Sequence, residues 1–279
     1  MTEYPTGLGT SDLDHIALLG HDLAGELMGQ VSFGELAFWL VARRRPTVHE
    51  VRVFEAVLVS LADHGFTPTA IAARLTYYSA PDSLQGAIAA GILGGGSRFL
   101  GVTEDTGRYL HDIVDGLGVE SDSWTDERWD ELARTALERA KAQRQRIPGI
   151  GHPVHKNGDP RTPALIRIAT EEGTRGRHLK LFEAIGRTQA EVMGVMLPLN
   201  GAGVAGATLA DLGLPIEMLR GFALLARTAG LIGQLAEERI SPIAPDIYFE
   251  VDRNAVYVPN AENNPPDRGT IPAPDLEGE

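Results

Sequence analysis

The 279-residue sequence contains no cysteine. This absence excludes disulfide bonds, thiol nucleophiles and cysteine-based metal sites, and it fits a reducing compartment. Positive charge is also scarce, since 25 Lys and Arg face 38 Asp and Glu and leave a net charge of −13. We therefore expect no nucleic-acid partner, because phosphate backbones are bound by clustered positive charge.

Long apolar runs are missing as well. No uninterrupted apolar stretch approaches the ~20 residues that cross a bilayer. The acidic N-terminus lacks the basic segment and apolar run of a signal peptide. We expect a cytoplasmic protein without a membrane partner. The length allows one large domain or two closely joined ones.

Strand signals are almost absent, whereas helix start signals are frequent. Ser32 is followed by Glu35, and Thr47 by Glu50, which is the spacing of a capping box. The sequence therefore predicts an all-α protein. The first 16 residues are polar and predict a loose arm, and alternation in residues 246–259 predicts a small hairpin around residues 252–254.

The most unusual stretch is PGIGHPVHKNGDPR, residues 148–161. Proline fixes φ and removes donors while glycine leaves the backbone loose, so this composition predicts a loop. Loops dense in ionisable groups often carry binding or catalytic sites. On composition alone, a polar surface connection between two helices is an equally good interpretation.

The spelling of this loop, Gly-x-Gly-His followed by Asp-Pro-Arg, resembles the second active-site segment of the citrate synthase family. That family includes the citryl-CoA lyases and the lyase module of ATP-citrate lyase. The resemblance extends over about residues 21–259. It implies a large helical domain built from residues 17–99 and 219–259, with a smaller helical domain, residues 100–218, inserted between them. Residues 260–279 are rich in Pro, Asp and Glu and predict a disordered tail.

Several positions outside the loop extend the resemblance. His64, in Asp-His-Gly, matches the family segment that opens the oxo-acid pocket, although it is also a favourable cation at a helix end. Phe99 stands where the synthases have the histidine that holds the thioester carbonyl, and Arg98-Phe99 is closer to the ATP-citrate lyase module. Asn200 stands where the family has its proton-transferring aspartate; Asn200-Gly201 is also an ordinary turn signal.

The resemblance implies a role for each candidate residue. His152 is the acid or base at the hydroxyl end of the substrate, with Asn200 at the enolate end, and His64, Arg161 and Arg227 hold carboxylates of the oxo-acid half. The residues expected at CoA are Gly149, Gly151, Lys156 and Asn157. We expect no metal and no tightly bound cofactor, since CoA is part of the substrate, and a homodimer as in the family.

These residues predict a carbon–carbon lyase that splits a citryl-CoA-like 3-hydroxy-3-carboxyacyl-CoA thioester into an acyl-CoA and an oxo acid. An amide such as Asn200 cannot exchange a proton near neutral pH. It can hydrogen-bond an enolate while water supplies the proton, or His155 can replace the missing acid. Two alternatives remain: a catalytically degraded relative that binds an acyl-CoA or a protein partner, and a condensing citrate or methylcitrate synthase.

Overall fold

A computed structural model describes residues 2–152 and 154–258 of the chain. It confirms the predicted all-α class, with one small sheet added. The helices of the described residues are α1 (Phe33–Ala42), α2 (Val48–Ala62), α3 (Pro68–Ser79), α4 (Leu84–Leu93), α5 (Val102–Val114), α6 (Asp126–Ala142), α7 (Arg161–Glu171), α8 (Arg177–Met193), α9 (Gly201–Asp211), α10 (Leu219–Glu238) and α11 (Ala244–Arg253). Short helical turns of other types lie at Leu23–Leu27, Val119–Ser123 and Ile216–Met218.

The helix start signals act locally as the sequence predicts. Thr47 caps α2 and forms the complete capping box with Glu50. Ser32 caps α1 by accepting a hydrogen bond from the Glu35 backbone, but the Glu35 carboxylate pairs with Arg45 instead of closing the box. The caps place both helix starts within one residue of their predicted positions.

The N-terminal segment differs from the prediction of a loose arm. Three short antiparallel strands, β1 (Gly9–Ser11), β2 (Ile16–Leu18) and β3 (His21–Asp22), form a sheet in sequence order. The strands are too short to show the alternation by which strands are identified in a sequence.

The predicted hairpin around residues 252–254 is wrong, because α11 occupies this region. The buried carboxylate of Glu238 accepts the backbone N–H groups of Ile243 and Ala244, which satisfies donors at the start of α11 and places a negative charge there. The ring of Tyr248 packs near Tyr78 of α3. Long-range contacts therefore decide the conformation of a segment whose local pattern is ambiguous. The predicted tail lies outside the described residues.

One continuous apolar core runs through the molecule. It includes Phe54 and Phe222 from the predicted large domain and Leu110 and Phe182 from the predicted small one. A smaller core lies between α3, α4 and α10. The domain boundaries at residues 100 and 218 stay a prediction. None of the helices in the described part of the chain combines the length and apolar composition that a membrane span requires.

Candidate active site

A cleft of about 1260 Å³ lies where the 148–161 loop meets the end of α2, the start of α3, and helices α5 and α10. Most of the residues predicted for the site line it: His64, Gly149, Gly151, His152, Lys156, Arg161, Asn200 and Arg227. Asn157 is exposed and is not part of this lining. The structure thus brings together side chains that are up to 163 positions apart in the sequence.

The loop is fixed to the segment that precedes α9. Gly151 donates its backbone N–H to the carbonyl oxygen of Pro198 at 2.7 Å, and Asn200 donates its own to Gly149 at 2.9 Å. Gly149 and Gly151 both have φ of +84°, and a side chain at Gly149 would press against the backbone of Gly203. Both glycines are therefore required by the fold. The Gly151 N–H is already engaged, so it is not available to a CoA phosphate.

Asn200 is the N-cap of α9. Its Oδ1 accepts the Gly203 backbone N–H at 2.8 Å, and its Nδ2 donates to the carbonyl oxygen of Gly151 at 2.8 Å. The amide thus joins the helix start to the loop, and the turn interpretation of Asn200-Gly201 gives way to a capping role. Its side chain also lines the cleft, which leaves its catalytic role a prediction.

Arg161 is paired within the protein. The buried carboxylate of Asp159 accepts from Arg161 Nε at 3.0 Å, from its Nη2 at 2.7 Å and from the Gly201 backbone N–H at 2.7 Å. Burial raises the pKa of Asp159, but these hydrogen bonds outweigh burial and lower the pKa to about 2. The Asp-Pro-Arg spacing places the two residues close in the sequence, but the sequence alone does not show that their side chains bond. Arg161 contributes charge to the cleft, but Asp159 partly neutralises it.

Arg227 forms no hydrogen bond to an acid among the described residues. The residue is only 5% exposed, and within the described structure its guanidinium donates to neutral oxygens: to the carbonyl of Leu61 at 3.4 and 3.2 Å and to Thr67 Oγ1 at 3.3 Å. Burial lowers its pKa, since the charged form loses hydration. Burying a cation without an anion is costly. Its position on the cleft wall therefore favours an anionic ligand as the missing partner.

Arg74 shows what a buried arginine looks like when its role is structural. It is fully buried, and it donates to Gln234 at 2.8 Å, to Glu238 at 2.7 Å and to Glu237. Both arginines contact α10 or belong to it. The difference between them lies in the acid that Arg227 lacks among the described residues.

Three imidazoles meet beside the arginines. Their ring centroids are 5.4 Å apart for His64 and His152, 5.3 Å for His64 and His155, and 4.4 Å for His152 and His155. Nε2 of His64 and Nε2 of His155 are 3.2 Å apart, which is a hydrogen-bond distance. Sequence analysis named His155 only as a possible replacement acid. Its i,i+3 spacing from His152 was the available signal for this contact.

The tautomer of His152 is set by its own loop. Nδ1 accepts the backbone N–H groups of Val154 and His155 at 3.1 and 2.9 Å, so in the neutral ring the proton is on Nε2. Burial, and then the neighbouring His155, lower the pKa of His152. Its Nε2 lies 4.0 Å from the Asp159 carboxylate. The geometry favours a hydrogen-bond donor at Nε2 over the proton acceptor that the cleavage reaction would need.

Four more cationic side chains line the cleft: Arg98, Arg108, Arg146 and Lys156. Two carboxylates, Asp105 and Asp112, line it too, and Glu104 partly neutralises Arg108 at 3.0 Å. Phe99 also lines the cleft and is 37% exposed. In a protein of net charge −13, the excess of cationic groups in this lining favours an anion locally. Arg108 and Arg146 lie outside any recognisable motif, so the sequence alone does not indicate them.

The fold and the cleft define a predominantly helical protein with an arginine- and histidine-lined cleft. The profile of the citrate synthase C-terminal domain matches residues 19–244, and the chain belongs to the citrate synthase family. This confirms the resemblance in the loop.

Curated relatives of the chain include a methylcitrate synthase and a citrate synthase. The chain is 25% identical over 198 residues to 2-methylcitrate synthase 1 of Corynebacterium glutamicum, covering 68% of this chain and 46% of that protein. It is 27% identical over 252 residues to the citrate synthase of Deinococcus radiodurans, covering 86% of this chain and 61% of that protein. The chain thus spans about half the length of the curated relatives it matches.

Among solved structures, the citryl-CoA lyase of Hydrogenobacter thermophilus superposes with a TM-score of 0.80 at 28% identity, over 96% of this chain and 97% of that one. An ATP citrate lyase of Methanosaeta concilii, in complex with (3S)-citryl-CoA, superposes with a TM-score of 0.70 at 21% identity. This second match covers 94% of this chain and 43% of that one, and it supports the fold alone.

Proposed function

We propose that the protein is a carbon–carbon lyase that cleaves a citryl-CoA-like 3-hydroxy-3-carboxyacyl-CoA thioester into an acyl-CoA and an oxo acid. The observation that carries this proposal is Arg227, a buried guanidinium on the cleft wall whose hydrogen bonds go to neutral oxygens. The full-length structural similarity to a citryl-CoA lyase supports the same conclusion.

Arg227 and Arg161 suit the oxo-acid half of the substrate. Arg227 pairs with one substrate carboxylate, because a planar guanidinium matches the geometry of a carboxylate. Arg161 uses Nε and Nη2 on Asp159 and one Nη1 donor on Ser60, which leaves two N–H groups for a second carboxylate. His152 Nε2–H donates to the oxygen of the tertiary hydroxyl. Together these groups hold and orient the carbon that becomes the oxo carbon.

The remaining cationic side chains of the lining suit CoA. In the proposed complex Arg98, Arg146 and Lys156 neutralise the phosphates of the nucleotide, and the thioester lies between them and Arg227. This arrangement fits a substrate that is anionic at both ends with a neutral link between them. The CoA role of Gly149 and Gly151 is limited to shaping the loop.

By the resemblance, the two side chains that serve the enolate in the family are replaced in this chain. Phe99 and Asn200 stand where the family has a histidine and an aspartate, and losing a general acid or base typically costs ~10²–10⁴ in rate. The second N–H of Asn200 Nδ2 can donate to the enolate oxygen, and water supplies the proton to the α-carbon. Slow turnover is the expected consequence.

Two alternatives have specific support. Curated relatives include citrate and methylcitrate synthases, which favours the condensation direction. The amide at Asn200 favours a relative that binds an acyl-CoA without turning it over. The predicted homodimer and cytoplasmic location remain predictions.

The test is an incubation of the purified protein with citryl-CoA and its homologues that carry longer acyl chains, with the acyl-CoA products quantified by mass spectrometry. The reverse mixtures, acetyl-CoA or propionyl-CoA with oxaloacetate, are run in parallel. Cleavage in the first set supports the lyase, whereas condensation that greatly exceeds cleavage supports the synthase. Tight binding of CoA esters with no turnover in either direction would leave the non-catalytic relative.

A further inference from the structure

The hydrogen bond between His64 and His155 has a consequence for the proton of the reaction. Two neutral imidazoles that approach through their Nε2 atoms at 3.2 Å share one proton, so one Nε2 donates and the other accepts. Each ring then has only Nδ1 left for another partner. His64 lines the cleft, whereas His155 is half-buried and is not among the lining residues. The pair therefore leads away from the cleft.

The cleavage reaction needs such a route. A group in the cleft must accept the proton of the tertiary hydroxyl, and His152 is poorly suited because its Nδ1 faces two backbone donors. Asp159 is equally unsuited, since four hydrogen bonds hold it as a carboxylate with a pKa of about 2. Of His152, Asp159 and His64, only His64 has a ring nitrogen, Nδ1, that the hydrogen bonds described above leave unused.

We propose that His64 accepts the hydroxyl proton and that His155 carries it onward, so that the two imidazoles act as one proton relay. This inference rests on the proposed function. The O–H bond breaks and its proton goes to Nδ1 of His64, while the proton on His64 Nε2 moves across to Nε2 of His155. The O–H electron pair forms the carbonyl of the oxo acid, and the electrons of the broken carbon–carbon bond form the enolate of the acyl-CoA. His155 releases a proton to water from Nδ1, and water protonates the enolate.

A metal ion is the competing explanation for three converging imidazoles, since one ligand atom of each lies within 4.8 Å of the others. Coordination through Nε2 of His152 would require a proton on its Nδ1. That proton would point at the N–H groups of Val154 and His155, which is repulsive. The loop therefore favours the relay.

The experiment compares citryl-CoA cleavage by the parent protein, His155→Gln and His155→Ala. Glutamine keeps a hydrogen bond to His64 but cannot transfer a proton. His15→Gln is the matched control, because His15 is exposed and outside the cleft lining. We expect kcat of His155→Gln to fall at least ~100-fold, as for loss of an acid–base group, with KM changed less than about threefold. Added imidazole restores at least a tenth of parental kcat to His155→Ala, and the control retains parental kcat.

Three outcomes would overturn the relay. They are an unchanged kcat in His155→Gln, a rise in KM with kcat intact, and a folded His155→Ala that imidazole does not rescue. A stoichiometric bound metal whose removal abolishes cleavage would show that the cluster is a metal site instead.

Nitrogen-15 spectra of the imidazoles in the parent protein separate this inference from the proposed function. The relay predicts that one ring of the His64–His155 pair has its proton on Nδ1 and the other on Nε2. Two Nε2–H rings would refute the pair. If the parent protein cleaves none of the esters, the proposed function fails, and these spectra alone then decide whether the pair exists.

Discussion

Replacing Arg227 with methionine should have opposite effects on binding and on stability. The substitution removes a buried guanidinium whose hydrogen bonds in the described structure, 3.2 to 3.4 Å long, go to neutral oxygens. Removing an uncompensated buried charge relieves desolvation, so the free energy of unfolding should change by less than about 1 kcal/mol or rise. Ligand binding should suffer, because truncating one partner of a buried charge pair costs about 2–5 kcal/mol. That loss corresponds to an affinity about 30- to several thousand-fold lower.

Arg74→Met is the matched control for this prediction. It also removes a buried arginine, but one whose charge is paired with Glu237 and with the buried Glu238. Breaking such a buried pair should cost about 3–5 kcal/mol of stability. Urea unfolding measures stability, and titration calorimetry with citrate at fixed ionic strength measures binding. An Arg227→Met protein that loses as much stability as Arg74→Met but binds citrate like the parent would refute the ligand role of Arg227.

Three further changes test other parts of the site. Asp159→Asn removes a carboxylate whose folded-state pKa lies below its unfolded value. Above pH 4 the substitution should lower the free energy of unfolding by about 2 kcal/mol or more. The difference from the parent should shrink as the pH falls towards 2, which urea unfolding at a series of pH values measures. Asn200→Asp places a carboxylate against the Gly151 carbonyl, which raises the pKa of the new carboxyl. The variant should therefore be less stable at pH 8 than at pH 5. If the new carboxyl supplies the missing acid, the cleavage rate of the variant should rise at the lower pH. His152→Asn keeps an acceptor for the loop N–H groups but removes the Nε2–H donor. It should lower kcat by ~10²–10³, as for loss of one hydrogen-bond donor to a reacting oxygen, with unchanged circular dichroism.

Each of these has a clear contrary result. A constant stability difference for Asp159→Asn between pH 2 and 7 would mean that its charge does not stabilise the loop. Parental stability and parental turnover for Asn200→Asp would reduce Asn200 to an exchangeable cap. Parental turnover for His152→Asn would show that its Nε2–H contacts no reacting atom.

The sequence predicts most of the fold because its helix signals are local. The Thr47–Glu50 capping box closes within four residues, and its geometry matches the prediction. The prediction of a C-terminal hairpin was wrong because the start of α11 depends on Glu238. This residue lies only a few positions before α11, but its buried carboxylate accepts the Ala244 backbone N–H, a contact that no local pattern shows. The short N-terminal strands depend on pairing with one another, which no local pattern reveals.

The site was predictable as a set of residues but not as a network. The resemblance indicated His152, Arg161 and Arg227, and the structure places all three at one cleft. In the described structure Arg161 bonds to the Asp159 carboxylate, whereas Arg227 bonds to neutral oxygens. This difference depends on which oxygens surround each guanidinium in the folded chain. The His64–His155 contact joins positions 91 apart in the sequence, so only the folded chain shows it.

The most direct test of the central claim is a crystal structure of the protein with citrate and CoA. It should place a citrate carboxylate within hydrogen-bond distance of the Arg227 guanidinium, with His152 Nε2 facing the citrate hydroxyl and the CoA phosphates at Arg98, Arg146 and Lys156. Citrate bound elsewhere, with Arg227 still bonded only to Leu61 and Thr67, would contradict it.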